Sequence, residues 1–271
     1  MTENKTVIIT GAANGIGKAT ALRFAREGYN LCLADIDENA LQQLFLQISA
    51  EWKKEPLICC GDLADESFLK EVIDRTSSLY SSIDVLINNA AWRTIETMRS
   101  ISLDTWEKTI RICLTAPAFL SKMAAEVMEK NNKAGVIINI SSMMAERPAG
   151  NSPAYIAAKG AIESLTRELA VTYGRSGIRS LSIKPGFIET GLSLDYKDAK
   201  GDDLTKTLSS YLLDASPVSR AGTPEDIAEA IFWLSSSSAS FITGTSLLVD
   251  GGFISNMNSY TLKGKQFPNE Y

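Results

Sequence analysis

The chain predicts a doubly wound α/β sheet, on three observations. The runs VIIT, LCLA, DVLI and GVIINI are apolar throughout, without the alternation of a half-exposed strand. Strands covered by helices on both faces read this way, as parallel strands do. Amphipathic stretches separate the runs at regular spacing, which makes each connection a crossover helix. A glycine-rich turn, TGAANGIG at 10–17, joins the first apolar run to the first amphipathic stretch.

Taken in order, the apolar runs place strands at 6–10, 30–35, 56–60, 83–87, 135–140, 179–184 and 246–249. The amphipathic stretches between them place helices near 15–28, 38–52, 66–80, 103–130, 153–174, 204–213 and 224–235, the last closed by the serine run Ser235–Ser238. No linker or low-complexity segment divides the 271 residues, so one domain over 1–271 is expected. The longest stretch without periodicity, 187–203, opens a polar excursion over 187–213 that reads as a substrate-binding loop or lid. The tail 253–271 carries four aromatics and no pattern; it reads as a frayed terminus, with docking on a neighbouring subunit as the alternative.

Composition narrows the function. A net charge of −5 without a basic run argues against nucleic acid or an anionic membrane surface as partner. No apolar stretch approaches the ~20 residues of a membrane span, and no signal peptide is evident, so a cytoplasmic location is expected. Cys32, Cys59, Cys60 and Cys113 form no C-x-x-C motif and read as reduced thiols. The chain has no histidine. That excludes Ser-His-Asp and Cys-His catalysis and His-ligated zinc, and no metal site is expected. Acid–base chemistry then falls to Tyr, Lys, Cys, Asp or Glu.

The run SSMMAERPAGNSPAYIAAKG supplies candidates. Tyr155 and Lys159 share one face of the helix over 153–174, and Ser142 ends the strand before it. A phenol titrates near ~10, and an adjacent ammonium favours its ionised form. At the other end, the glycines of the first turn let backbone approach a pyrophosphate, and the helix N-terminus offers N–H groups and positive dipole. Asp35, eighteen residues past Gly17 at the end of the second strand, can accept from a ribose hydroxyl and repels a 2′-phosphate, which favours NAD over NADP. Asp37 is a rival for that role but reads better as a helix cap. Asp62 either lies over the adenine edge or caps the next helix.

Assembled in order, TGAANGIG, Asp35, GDL at 61–63, NNAA at 88–91, ISS at 140–142, YIAAK at 155–159, PGFIET at 185–190 and VDGG at 249–252 resemble the short-chain dehydrogenase/reductase family over residues 5–253. The resemblance implies a Rossmann-type domain with a seven-stranded, mainly parallel sheet of order 3-2-1-4-5-6-7, and a homotetramer or homodimer. It implies hydride transfer between a nicotinamide and a carbonyl/alcohol pair. Tyr155 is then the general acid/base, Lys159 lowers its pKa and holds the nicotinamide ribose, and Ser142 orients the substrate oxygen. Gly11, Asn14, Gly15, Ile16, Gly17, Asp35, Asp62, Leu63, Asn89, Ala90, Tyr155, Lys159, Pro185, Gly186, Ile188 and Thr190 would contact the cofactor, with Asn89 beside its ribose and Ile188 and Thr190 on its carboxamide. Two positions depart from the family. Cys113 stands where an asparagine usually helps a water link the lysine to solvent, and a thiol is a weak substitute. Ala91 replaces the last glycine of NNAG.

The substrate side is expected from Trp92, Arg93 and Thr94, from 143–151 and from 187–213. Arg93, Glu146 and Arg147 suggest a polar substrate, including one with an anionic group; charges on the surface rim are the alternative. An NAD-linked alcohol, polyol, sugar or hydroxy-acid dehydrogenase ranks first. A ketoacyl-carrier-protein reductase, or an NAD-binding sensor with weak turnover, are the competing readings.

Overall fold

The computed structural model describes residues 5–191, 196–197 and 200–271. Positions 192–195 and 198–199, inside the expected loop 187–213, lie outside the described residues. Seven strands, β1 (Thr6–Thr10), β2 (Asn30–Asp35), β3 (Leu57–Cys60), β4 (Val85–Asn88), β5 (Gly135–Ile140), β6 (Ile178–Pro185) and β7 (Thr245–Val249), form one sheet in the order β3-β2-β1-β4-β5-β6-β7. Every pairing is parallel.

The apolar runs are explained by two-sided burial. Successive residues of β1 face opposite sides of the sheet. Val7 and Ile9 pack with Phe24, Leu41, Ile227 and Ile231 on one side. Ile8 packs with Leu69, Val72, Leu120 and Ala124 on the other. The first side is covered by α1 (Gly15–Arg26), α2 (Glu38–Trp52) and α8 (Pro224–Ser235). The second is covered by α3 (Glu66–Tyr80), α5 (Ala116–Lys130) and α6 (Pro153–Tyr173). Burial of an Ile or Leu contributes roughly 1.5–3 kcal/mol, so neither face of a central strand tolerates a polar residue without a partner.

The chain runs from β1 outward to β3, then returns to place β4 on the other side of β1. That reversal opens a crevice beyond the carboxyl ends of β1 and β4, where sheets of this kind bind ligands.

Two elements differ from expectation. The helix expected over 103–130 is α4 (Leu103–Ile110), a π-turn at Arg111–Thr115, and α5. Pro117 has no N–H and its ring crowds the carbonyl four residues back, that of Cys113, so the helix widens and Ala116 N–H donates to the Arg111 carbonyl instead. The tail is partly ordered: α9 (Tyr260–Gln266), capped by Ser259 Oγ on Leu262 N–H, lies against α7 (Thr205–Ala215).

Candidate active site

A cleft of about 1060 Å³ crosses the carboxyl ends of the strands. Its first wall is the glycine turn. Gly11 and Gly15 hold φ of +63° and +52°, which side chains disfavour. A Cβ on Gly17 would stand 1.9 Å from the Gly11 carbonyl oxygen, so this glycine allows the turn to close on itself. Asn89 donates both amide hydrogens to the turn, to the Thr10 carbonyl at 3.0 Å and the Gly11 carbonyl at 2.9 Å. It lines the cleft as well, but its hydrogen bonds buckle the turn from β4. Asn14 makes no capping hydrogen bond, whereas α2, α3 and α4 are capped by Asp37, Asp65 and Ser102. The first turn of α1 thus lacks a side-chain cap and faces the cleft through Gly15 and Ile16. These features fit a dinucleotide pyrophosphate.

Asp35 ends β2 with its carboxylate accepting from Ala13 N–H (2.9 Å), Ile36 N–H (2.8 Å) and Asp37 N–H (3.1 Å). It braces the glycine turn and also lines the cleft. Asp37 is the α2 cap, on Ala40 N–H at 3.0 Å. Asp62 accepts from Ala64 N–H at 2.8 Å and lines the cleft; the capping alternative goes to Asp65.

Ser142, Tyr155 and Lys159 line the same cleft. Ser142 follows β5 in extended backbone, and its Oγ accepts from Met144 N–H at 3.1 Å. Pro153 starts α6 at a position where its missing N–H costs nothing, which sets Tyr155 and Lys159 in the first two turns. Both are buried, 8% and 2% exposed. Lys159 Nζ donates to the Ile140 carbonyl at 2.6 Å and stands 5.5 Å from the Tyr155 ring centre. Burial pushes the Tyr155 phenol up to about 12, and the Cys113 thiol adds to this; Arg93 and a hydrogen bond with Ser142 pull the other way. Burial likewise lowers the Lys159 ammonium, while Cys113 raises it. The expected net lowering of the phenol pKa by its neighbour is thus reversed, because desolvation is the larger effect.

Cys113 and Gly17 lie outside the cleft lining. Cys113, fully buried on the π-turn, accepts from Trp92 N–H at 3.4 Å and donates to the Trp92 carbonyl at 3.5 Å. Its thiol fastens the segment after β4 to the helix beneath Tyr155. Gly11, Asn14, Gly15, Ile16, Asp35, Asp62, Leu63, Asn89, Ala90, Pro185, Gly186, Ile188 and Thr190 all line the cleft. Among the described residues there is no cluster of metal-ligating side chains and no helix long and apolar enough to cross a membrane.

Glu146 and Arg147, expected at the substrate rim, are drawn elsewhere by stronger partners. Glu146 pairs with Lys184, which also faces Glu163 at 3.6 Å. Arg147 donates to the Phe253 carbonyl at 3.3 Å and lies 4.4 Å over its ring. Three charged wall residues carried no signal in the sequence: Lys18, Lys108 and Glu225. Lys108 reaches the site because its ammonium sits 4.6 Å over the Trp92 ring, a contact no periodicity reveals. A lysine inside the apolar run SLSIKPG was the visible sign of the Lys184 cluster.

The family described as enoyl-(acyl carrier protein) reductase matches residues 11–254. An uncharacterised oxidoreductase of Thermotoga maritima is 37% identical over 260 residues, 95% of this chain and 98% of its own. A solved structure of 4-hydroxyisoleucine dehydrogenase holding NADH superposes with a TM-score of 0.84 at 30% identity, covering 94% of this chain and 100% of that one. L-Sorbose reductase from Gluconobacter frateurii, with NADPH and L-sorbose, gives 0.86 at 26% identity, over 94% and 98%. The chain belongs to the short-chain dehydrogenase/reductase family. It is an oxidoreductase acting on CH–OH groups.

Proposed function

We propose that this protein is an NAD-dependent dehydrogenase of small secondary alcohols, interconverting them with their ketones. The observation that carries the reading is the convergence of Ser142, Tyr155 and Lys159 on the wall of a cleft that begins at the glycine turn. Bound NAD supplies the hydride acceptor; the chain's residues do the rest. Gly11, Gly15, Ile16 and the N-terminus of α1 hold the pyrophosphate, with Gly17 shaping the turn. Asp62, Leu63 and Ala90 flank the adenosine half, and Pro185, Gly186, Ile188 and Thr190 the nicotinamide half. The substrate oxygen rests on Ser142 Oγ beside the Tyr155 hydroxyl. In oxidation Tyr155 takes the hydroxyl proton, and in reduction it gives one. Lys159, fixed by Ile140, stabilises the phenolate as it forms. The preorganised Ser142 and Tyr155 lower the entropic and electrostatic parts of the barrier.

Asp35 supports NAD over NADP. Its carboxylate lines the cleft where an adenosine ribose fits, and a 2′-phosphate would meet its charge. Relatives hold either cofactor, so the chain's own carboxylate is the argument. Exposed Leu103, Phe119 and Val171 on α4, α5 and α6 support a homotetramer built on those helices, and the free thiols suit the cytoplasm.

The test is a panel of alcohols, sugars and ketones followed by the nicotinamide absorbance, with Tyr155→Phe and Asp35→Ser. Tyr155→Phe is expected to lose turnover at least a hundredfold while binding NAD as before. Asp35→Ser is expected to erode the preference for NAD. Turnover retained in Tyr155→Phe on every substrate would sink the acid/base role.

A further inference from the structure

The dehydrogenase reading, on which the following rests, leaves the class of alcohol open, and one side chain narrows it. We propose that the substrate is a hydroxy acid, its carboxylate held by Arg93 while its hydroxyl lies between Ser142 and Tyr155.

Arg93 stands on the segment after β4, next to Trp92, and lines the cleft with Tyr155. Its Nη1 donates to Tyr196 Oη at 3.2 Å, and its Cζ lies 5.5 Å from the centre of that ring. The guanidinium is therefore braced against the far wall. A guanidinium carries five N–H donors in a fixed fork that matches a carboxylate bidentately. Trp92, Met144, Phe187, Leu208 and Leu212 give this cleft an apolar lining, and Lys108 adds a second cation over the Trp92 ring. A cation in such a setting interacts more strongly with an anion than it would in water. Its charge reaches the reacting group, since Arg93 acts against burial on the Tyr155 phenol.

A neutral polyol needs donors and acceptors but no fixed cation. The planar fork of Arg93 suits a single carboxylate. The reaction balances without further reagents: the carbinol carbon passes its hydride to NAD⁺, the hydroxyl proton leaves through Tyr155 to solvent, and the products are an oxo acid, NADH and H⁺.

The experiment compares matched probes with the full chain and NAD. Probes are 3-hydroxybutyrate and 4-hydroxycyclohexanecarboxylate, each with its methyl ester and primary amide, beside cyclohexanol, sorbitol and glycerol 3-phosphate. The acids are expected to exceed their esters and amides at least tenfold in kcat/KM. In Arg93→Gln that preference collapses towards one, through KM rather than kcat, and Arg93→Lys restores part of it. Binding of the matching oxo acids, read by quenching of NADH fluorescence, weakens in parallel. Esters, polyols or the phosphate turned over as well as the acids, or an acid-to-ester ratio unchanged in Arg93→Gln, would overturn the proposal and leave the dehydrogenase standing. No turnover of any alcohol, charged or neutral, would overturn both.

Discussion

Replacing Lys184 by Met tests how the loop that carries Ser142 is held. Lys184 ends β6 with its side chain 9% exposed, between Glu146 (46%) on the loop and Glu163 (13%) on α6. Ser141 Oγ lies 2.9 Å from both Glu163 Oε1 and the Lys159 carbonyl, so the cluster links β5, β6 and α6 behind the cleft. Methionine fills most of the lysine stem's volume, so the change removes charge more than packing. Breaking a buried pair from one side costs about 3–5 kcal/mol, because the partner is left uncompensated. Glu146 is half exposed and can turn to water, where an ion pair contributes only about 0–1 kcal/mol. Glu163 cannot, which puts the expected loss near the lower end, about 3 kcal/mol. With a urea slope of roughly 3 kcal/mol/M for a chain of this size, the unfolding midpoint falls by about 1 M. Lys184→Met/Glu163→Gln should recover part of the loss, since a neutral amide tolerates burial better, and Glu146→Gln alone should cost under about 1 kcal/mol. A Lys184→Met midpoint within about 0.2 M of wild type, or a loss in Glu146→Gln as large as in Lys184→Met, would refute this account of the cluster.

Cys113→Asn should fold as well as wild type and maintain or raise turnover. An amide can donate to the Trp92 carbonyl and accept from its N–H, the two bonds the thiol now makes, whereas Cys113→Ala leaves both unmade and should cost about 1–3 kcal/mol in urea. A large loss of kcat in Cys113→Asn would give the thiol a task of its own. The pH dependence follows from Tyr155. Its folded pKa, about 12, stands above the ~10 of an unfolded phenol, so the neutral phenol's contribution to stability is complete below pH ~10 and disappears as pH rises through the folded value. Alkaline unfolding of Tyr155→Phe should therefore lack part of the wild-type loss between those values. Ketone reduction, which uses the protonated phenol, should be flat through neutral pH, while alcohol oxidation rises with it. A reduction rate that already declines with rising pH below pH 8, in parallel with a phenol titration, would contradict the direction of the shift.

What the sequence conveyed follows from which interactions are local. The strands were legible because a central parallel strand is apolar on both faces, so LCLA and GVIINI announce themselves without alternation. The glycine-turn wall of the cleft was legible because glycine positions and a strand-end acid are demands of backbone geometry. The π-turn was hidden because apolar spacing shifts little when one residue is added to a turn; only Pro117 marked it. α9 was hidden because a short helix capped by Ser259 and leaning on α7 needs no amphipathic face of its own. Glu146 and Arg147 were misplaced because their partners, Lys184 and Phe253, are remote in the chain.

The Tyr155 phenol shows the same division in one group. Helical spacing placed a lysine beside it, and from that a lowered pKa followed. The spacing said nothing of the enclosure formed by Ile112, Cys113 and Ala158, which comes from the π-turn and its packing on α6. Burial penalises the phenolate directly, whereas Lys159 is spent in part on the Ile140 carbonyl and is itself lowered by the same enclosure. The free protein therefore holds a protonated acid suited to reducing a ketone. Oxidation must draw the proton off against that desolvation, with the Lys159 ammonium, 5.5 Å from the ring centre, as the cation beside it.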